Sequence, residues 1–261
     1  MKAEQAAMDS FDIREKVILV TGGTRGLGRT LSLHLAGNGA RVLAGYFQDE
    51  AAAESFRQEV SKQGCICATV KANLMTPSGI QTLTDQALAL YGKIDALIYN
   101  SATGVHKSLE SLTQRHLSTV WQVNVGAFFE LSLKLRPHMA HGSRIIAISS
   151  EGARKAVDNY GAIGSSKAAL EALCRQMAVE WASSGITVNM VAPGLLETET
   201  LSVMENSDHR VKNEIRSNTL GRLVRLEEVA RLVHFLCSDA SEGIVGQTIV
   251  IDGGKSISAF V

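Results

Sequence analysis

The chain has 261 residues, 45% of them apolar, and its 26 basic side chains are matched by 26 acidic ones. A core of that size suits one α/β domain, and near-neutral charge gives no pull toward nucleic acid or an anionic membrane. No apolar run is long enough to span a bilayer, and the opening MKAEQAAMDSFDIREK has acids where a secretory leader has an apolar stretch, so a cytoplasmic location is expected.

Residues 16–21, KVILVT, form the short apolar run that a buried parallel strand needs. The glycine-rich TGGTRGLG, Thr21 to Gly28, follows; helical spacing then resumes through Leu31, Leu33, Leu35 and Ala36 until Gly37 and Gly39 stop it. Strand, glycine turn and helix N-terminus make a seat for a pyrophosphate, because glycine lets the backbone come close and the helix end offers unpaired N–H groups. The glycine spacing departs from G-x-G-x-x-G. The second strand, Ala40–Phe47, is expected to end beside an adenosine ribose, where an NAD site wants an acid on the 2′-hydroxyl. Gly45 and Tyr46 stand there instead, while Asp49 and Glu50 suit the cap and first turn of the next helix. Arg25, in the glycine turn, suits a 2′-phosphate. These residues favour NADPH over NADH.

Alternation continues without a linker. A strand over Cys65–Ala72 leads to Asn73, a helix covers Pro77–Tyr91, and a strand over Asp95–Tyr99 leads to Asn100, Ser101 and Ala102. One long helix is predicted over about 112–135 with Asn124 in its interior, where Asn is mildly unfavourable; it serves either a backbone or water contact or plain structure. Cys65 and Cys67 are expected on one face of the third strand. With Cys174 and Cys237 they lack metal-site spacing and read as reduced core thiols, so no metal is expected.

The strand Ile145–Ile148 ends in Ser149 and Ser150, and a helix over about 160–183 carries Tyr160 and Lys167 at its start. Seven residues are about two turns, so both side chains leave nearly the same face. A lysine there favours phenolate and suits the tyrosine to proton donation; the alternative is a buried tyrosine and a solvated lysine. A strand over Ile186–Ala192 is broken by Pro193 and Gly194, and the polar stretch 195–218 is either a mobile lid or a solvated connecting helix. A helix over Leu226–Cys237 and a strand over Gln247–Ile251 complete the pattern. The expected fold is α/β: a single Rossmann-like, doubly wound parallel sheet of about seven strands with helices on both faces. It covers 1–261, with a cofactor half at about 14–150 and a substrate half at about 145–261.

Taken together, these motifs resemble the short-chain dehydrogenase/reductase family over essentially the whole chain. TGGTRGLG looks like its cofactor turn, Asn100-Ser101-Ala102 stands where it has Asn-Ala-Gly, and Asn124 matches its helix Asn. Pro193-Gly194 with Thr198 resembles its nicotinamide-side motif, and GQTIVIDGG its C-terminal strand. The resemblance implies cofactor contacts from Gly22, Thr24, Arg25, Gly26, Leu27, Gly28, Tyr46, Asn73, Leu74, Asn100, Ser101, Ala102, Lys167, Pro193, Gly194 and Thr198, and catalytic roles for Ser150, Tyr160, Lys167 and Asn124. Most family members place the tyrosine four residues before the lysine; that position is Ile163 here. The seven-residue spacing in YGAIGSSK is similar to the enoyl-acyl-carrier-protein reductase branch, and VKAN, NSATGV and NYGAIGSSKAALEAL to its NADPH-using type III members. VAPGLL and Ser150 are more like a ketoreductase.

An enoyl thioester accepts hydride at its β-carbon while charge develops on the distant thioester oxygen, so its acid must sit farther from the nicotinamide. Three residues of helix are about 4.5 Å. The expected reaction is NADPH-dependent reduction of a trans-2-enoyl thioester on acyl carrier protein or coenzyme A, in fatty-acid or polyketide-like biosynthesis. Tyr160 would stabilise the enolate and Lys167 bind the nicotinamide ribose, while Ser150 either adds a donor or finishes the strand. The alternatives are a ketoreductase acting on 3-oxoacyl thioesters or other carbonyls, and a non-catalytic NADPH-binding protein. The family commonly forms homotetramers, and Trp121, Phe128, Phe129, Leu170, Met177 and Trp181 are either core or a subunit surface, in a tetramer or a dimer. Arg210, Lys212, Arg216, Arg222 and Arg225 are either a solvated face or a contact for an acidic carrier.

Overall fold

In the computed structural model, which describes residues 10–197 and 207–258, the strands are β1 (Val17–Val20), β2 (Arg41–Tyr46), β3 (Cys67–Lys71), β4 (Ala96–Tyr99), β5 (Arg144–Ile148), β6 (Thr187–Pro193) and β7 (Thr248–Ile251). They form one parallel sheet in the order β3-β2-β1-β4-β5-β6-β7. Every residue of β1, β4, β5 and β6 is buried, which is why these strands read as near-continuous apolar runs instead of alternations. Strand order reverses between β1 and β4, and a crevice opens there at the carboxyl ends.

The helices are α1 (Gly26–Gly37), α2 (Glu50–Gln63), α3 (Pro77–Tyr91), α4 (Gln114–Trp121), α5 (Ala127–Leu135), α6 (Gly161–Trp181), α7 (Ser207–Ser217) and α8 (Leu226–Cys237). One core cluster packs Leu31, Leu35, Val229 and Val233 of α1 and α8 against Ile18, Val20 and Ile146. On the other face Leu83, Phe128, Leu131, Leu170 and Met177, from α3, α5 and α6, cover Leu19, Leu43, Leu97 and Ile145. Helix α3 keeps its expected bounds for a local reason. The Thr76 hydroxyl accepts from Gly79 N at 3.1 Å, Pro77 opens the first turn, and Gly92 ends it at φ 70°.

Four expectations change. The long helix starts at Gln114, capped by Thr113, and is interrupted by a π-helical turn over Gln122–Gly126. Strand β3 begins at Cys67, because Gly64 turns the chain in the left-handed region just before; Cys65 thus lies outside the strand and the shared face is lost. Pro193 ends β6 inside the ladder, opposite Ile251. The ladder toward β7 continues past it, with Gly194 N donating to Ile251 O at 3.0 Å. Helix α6 ends at Trp181, followed by a short 3₁₀ turn over Ala182–Ser184.

Phe128, Leu170 and Met177 are core, whereas Trp121 and Phe129 are more than two-fifths exposed. Thr198 lies outside the described residues, as does the stretch 198–206 of the expected lid. Among the described residues no helix is long and apolar enough to cross a membrane, and no three metal-binding side chains come together.

Candidate active site

The glycine turn is bolted to the end of β4. Thr21 Oγ1 accepts from Asn100 N and Ser101 N, both at 3.0 Å, and Asn100 Nδ2 donates to the carbonyls of Thr21 and Gly22, each at 3.2 Å. Gly22 sits at φ +64°, and a Cβ on Gly28 would run into the Gly22 carbonyl. Helix α1 follows with Arg25 as an extended cap whose side chain bonds none of the first-turn N–H groups. Close backbone approach and an uncapped helix end are what a pyrophosphate needs. Gly22, Thr24, Arg25, Gly26, Leu27, Gly28, Tyr46, Asn73, Leu74, Asn100, Ser101 and Ala102 all line this one cleft of about 500 Å³.

At the β2 end both acids are engaged. Asp49 caps α2 by accepting from Ala52 N at 2.9 Å, and Glu50 accepts from the Tyr46 hydroxyl at 2.9 Å, Arg57 at 3.1 Å and Lys71 at 3.3 Å. Those bonds, the Tyr46 one first, hold the exposed Glu50 carboxyl below its ordinary value. Asn73 Oδ1 accepts from Met75 N at 3.0 Å and shapes the turn into α3. The cleft therefore fits a dinucleotide, with Arg25 exposed at its rim and, among the described residues lining it, the Asp49 carboxylate already engaged as a cap.

A second cavity of about 930 Å³ adjoins it, sharing Asn100, Ala102 and Thr103 and lined further by Ser150, Tyr160, Ile163, Lys167, Pro193 and Gly194. Tyr160 is the cap residue of α6 and not its first turn. Its hydroxyl donates to Ser150 Oγ at 3.2 Å, so the displaced tyrosine does reach the serine at the end of β5. Two glycines make this possible. A Cβ on Gly152 would stand 2.5 Å from the Tyr160 ring, and one on Gly104 would overlap the end of Ile163. The slot at Gly152 takes the ring; the one at Gly104 takes the isoleucine. His106 adds a tilted ring contact to Tyr160 at 5.6 Å between centroids. Lys107 N donates to Asn159 O at 3.1 Å, and Asn159 turns the chain into α6 at φ 56°.

Lys167 is buried, and its Nζ donates to Ile148 O at 2.7 Å. Burial pulls its amine down to about 8. Asn124, at the centre of the π turn, is also buried. Its Oδ1 accepts from Thr103 N at 2.9 Å and its Nδ2 donates to Thr103 O at 3.1 Å and Ser166 Oγ at 2.9 Å. It therefore fixes the loop after β4 against α6.

One network was not visible in the sequence. Glu171, buried one turn beyond Lys167, accepts from Ser149 Oγ at 2.6 Å and Arg154 Nε at 3.2 Å, tying the strand end and the following loop to α6. The signal was a glutamate one turn after Lys167, between the apolar residues Leu170 and Ala172.

The matching family model, described as enoyl-(acyl carrier protein) reductase, spans residues 22–256. The chain is 34% identical over 251 residues to a 1-cyclohexenylcarbonyl-CoA reductase of Streptomyces collinus, covering 94% of this chain and 89% of that one. It is 33% identical over 254 residues to a hydroxynaphthalene reductase-like protein of Metarhizium robertsii, covering 92% and 94%. A gluconate 5-dehydrogenase from Burkholderia cenocepacia, solved in complex with NADP and tartrate, superposes with a TM-score of 0.89 at 26% identity, over 97% of this chain and 100% of that one. A parallel sheet reversed at the glycine turn, relatives that are reductases over nearly their full length, and a family match across both cavities lead to one assignment: the chain belongs to the short-chain dehydrogenase/reductase family, whose members are oxidoreductases using nicotinamide cofactors.

Proposed function

We propose that the chain reduces the carbon–carbon double bond of a trans-2-enoyl thioester, carried on acyl carrier protein or coenzyme A, with NADPH, in fatty-acid or polyketide-like biosynthesis. The observation that carries this reading is that Ile163, at the four-residue spacing from Lys167, is seated against Gly104, while the tyrosine at the seven-residue spacing places its hydroxyl 3.2 Å from Ser150 Oγ. Bound in the cleft, NADPH would supply the hydride taken up at the β-carbon. Tyr160 and Ser150 would donate to the thioester oxygen as negative charge gathers there, and the α-carbon would then take a proton from the Tyr160 hydroxyl, which regains one from solvent. Lys167, buried in the wall of the same cavity as Tyr160, would bind the nicotinamide ribose, and Pro193 and Gly194 line that cavity as well. Asn124 acts through the loop it holds, as a positioning residue. Similarity to a coenzyme A thioester reductase supports this reading.

A second reading, ketone reduction, rests on Ser150, which lines the same cavity, and similarity to a hydroxynaphthalene reductase-like protein supports it. NADPH oxidation with matched crotonyl and acetoacetyl thioesters, each on coenzyme A and on acyl carrier protein, separates the two. The expected result is consumption of crotonyl thioester alone; consumption of acetoacetyl thioester alone transfers the site to the ketoreductase reading.

NADPH is preferred over NADH because Arg25 stands at the cleft rim while Asp49 and Glu50 are engaged. Arg25→Ala is expected to raise KM for NADPH by about tenfold and leave KM for NADH within about twofold; steady-state kinetics with both cofactors checks this. Subunit pairing, in a homotetramer, is proposed through the exposed Trp121, Phe129 and Leu133 on α4 and α5.

A further inference from the structure

Three segments far apart in sequence meet at one ammonium in the wall of the second cavity. Lys255 Nζ donates to Glu151 Oε1 at 2.7 Å and to Glu214 Oε2 at 2.5 Å. Glu151 directly follows Ser150. Glu214 lies on α7 and is only 5% exposed, and its other oxygen, Oε1, accepts from Leu195 N at 3.3 Å, just beyond Pro193 and Gly194. Gly194 leaves room for this carboxylate: a Cβ there would stand 3.0 Å from Glu214 Oε1.

Lys255 itself stands on a rigid base. Asp252 Oδ1 accepts from Gly254 N at 3.0 Å and its Oδ2 from Ser256 N at 2.7 Å, while Asn218 Nδ2 donates to Asp252 O at 3.0 Å. Burial opposes the Lys255 charge, yet the two carboxylate bonds hold its amine above the ordinary lysine value. Two carboxylates share one cation, and one of them is buried; among the described residues Lys255 is the cation paired with Glu214, so its removal leaves that buried charge without its ion pair.

We propose that Lys255, with Glu214 and Glu151, is an ion clasp that seats helix α7 against the catalytic loop, and that Lys255 is thereby a positioning residue for the acyl substrate. The kinetic part rests on the reductase reading; the seating of α7 does not. The clasp joins the end of β6, the Ser150 loop and α7 at a single point, so it sets the distance between the Tyr160–Ser150 pair and the wall formed by Asn213, Glu214 and Ser217. The cofactor cleft shares none of the three charged residues.

Hydrogen exchange of the full chain without ligand, read on peptides covering 207–217, tests the seating directly. Lys255→Met is expected to speed exchange there at least about tenfold, and Lys255→Arg to stay within about threefold of the parent. In the same variants KM for the acyl thioester rises about tenfold with Lys255→Met, with kcat and the Kd for NADPH within about threefold, and returns with Lys255→Arg. Unchanged exchange in Lys255→Met overturns the clasp whatever the kinetics. Faster exchange with an unchanged KM overturns the positioning role. If the parent turns over no thioester or ketone, the reductase reading fails and the exchange result still decides the clasp. Should Lys255→Met not fold, Glu214→Gln keeps the Leu195 bond and removes the charge, and unchanged exchange in it is equally decisive against the proposal.

Discussion

Tyr160→Phe is expected to lower kcat for enoyl thioester reduction by about 10²–10³-fold while leaving KM and NADPH affinity within about threefold. Only the hydroxyl is removed. The ring keeps its slot beside Gly152 and its contact with His106, so packing is unchanged and the loss is read as chemistry. Ser150→Ala, which removes the partner at 3.2 Å, serves as the comparison. A loss at Ser150 equal to that at Tyr160 marks two donors on one oxygen; a loss under about threefold leaves the serine as the cap of its own turn, where its Oγ accepts from Gly152 N at 3.3 Å. Activity of Tyr160→Phe close to the parent's would remove the tyrosine from the mechanism altogether.

Lys167→Met is expected to cost at least about 10²-fold in kcat/KM and, in the ligand-free chain, to change how stability depends on pH. Burial places the folded-state amine at about 8 against an ordinary 10.5. Between those values the unfolded chain holds a proton that the folded chain has shed, so unfolding becomes harder as pH rises through the window. Below about 8 both states are protonated and the folded state carries the full cost of a buried ammonium. The gap corresponds to about 3 kcal/mol gained between pH 7.5 and 10.5. Urea unfolding of parent and Lys167→Met at both pH values isolates it, because every other titrating group is common to the two. An equal pH dependence in both chains would show that the amine keeps its charge in the folded state.

The strands and helices were legible because this fold writes them plainly. A parallel sheet covered on both faces leaves unbroken apolar runs, and caps such as Thr76 and Asp49 with stops such as Gly92 mark the helix ends. Part of the lining of the two cavities was legible too: the glycine turn, Asn100 to Ala102, Ser150, Tyr160 and Lys167 gather at strand ends, where the order of the motifs places them. What stayed hidden depends on contacts between segments distant in the chain. The π turn around Asn124 has no composition of its own; it forms where Asn124 reaches both Thr103 and Ser166, and Tyr99 donates from β4 to Val123 O at 2.5 Å. Glu171 and Lys255 are single charged residues whose partners lie 17 to 104 positions away. Nothing in periodicity or spacing pairs them. Alternation alone does not register the left-handed turn at Gly64, which leaves Cys65 outside the strand.

The two glycine slots constrain how such a site can change by descent. With Gly152 and Gly104 both present, the aromatic side chain has its room at 160 and the aliphatic one at 163. Any side chain at 152 evicts the ring before a replacement acid exists, and a tyrosine gained at 163 first has to find space where Ile163 now fills the hollow at Gly104. The two tyrosine spacings therefore demand different small residues around the site, and exchanging one for the other requires several positions to change together.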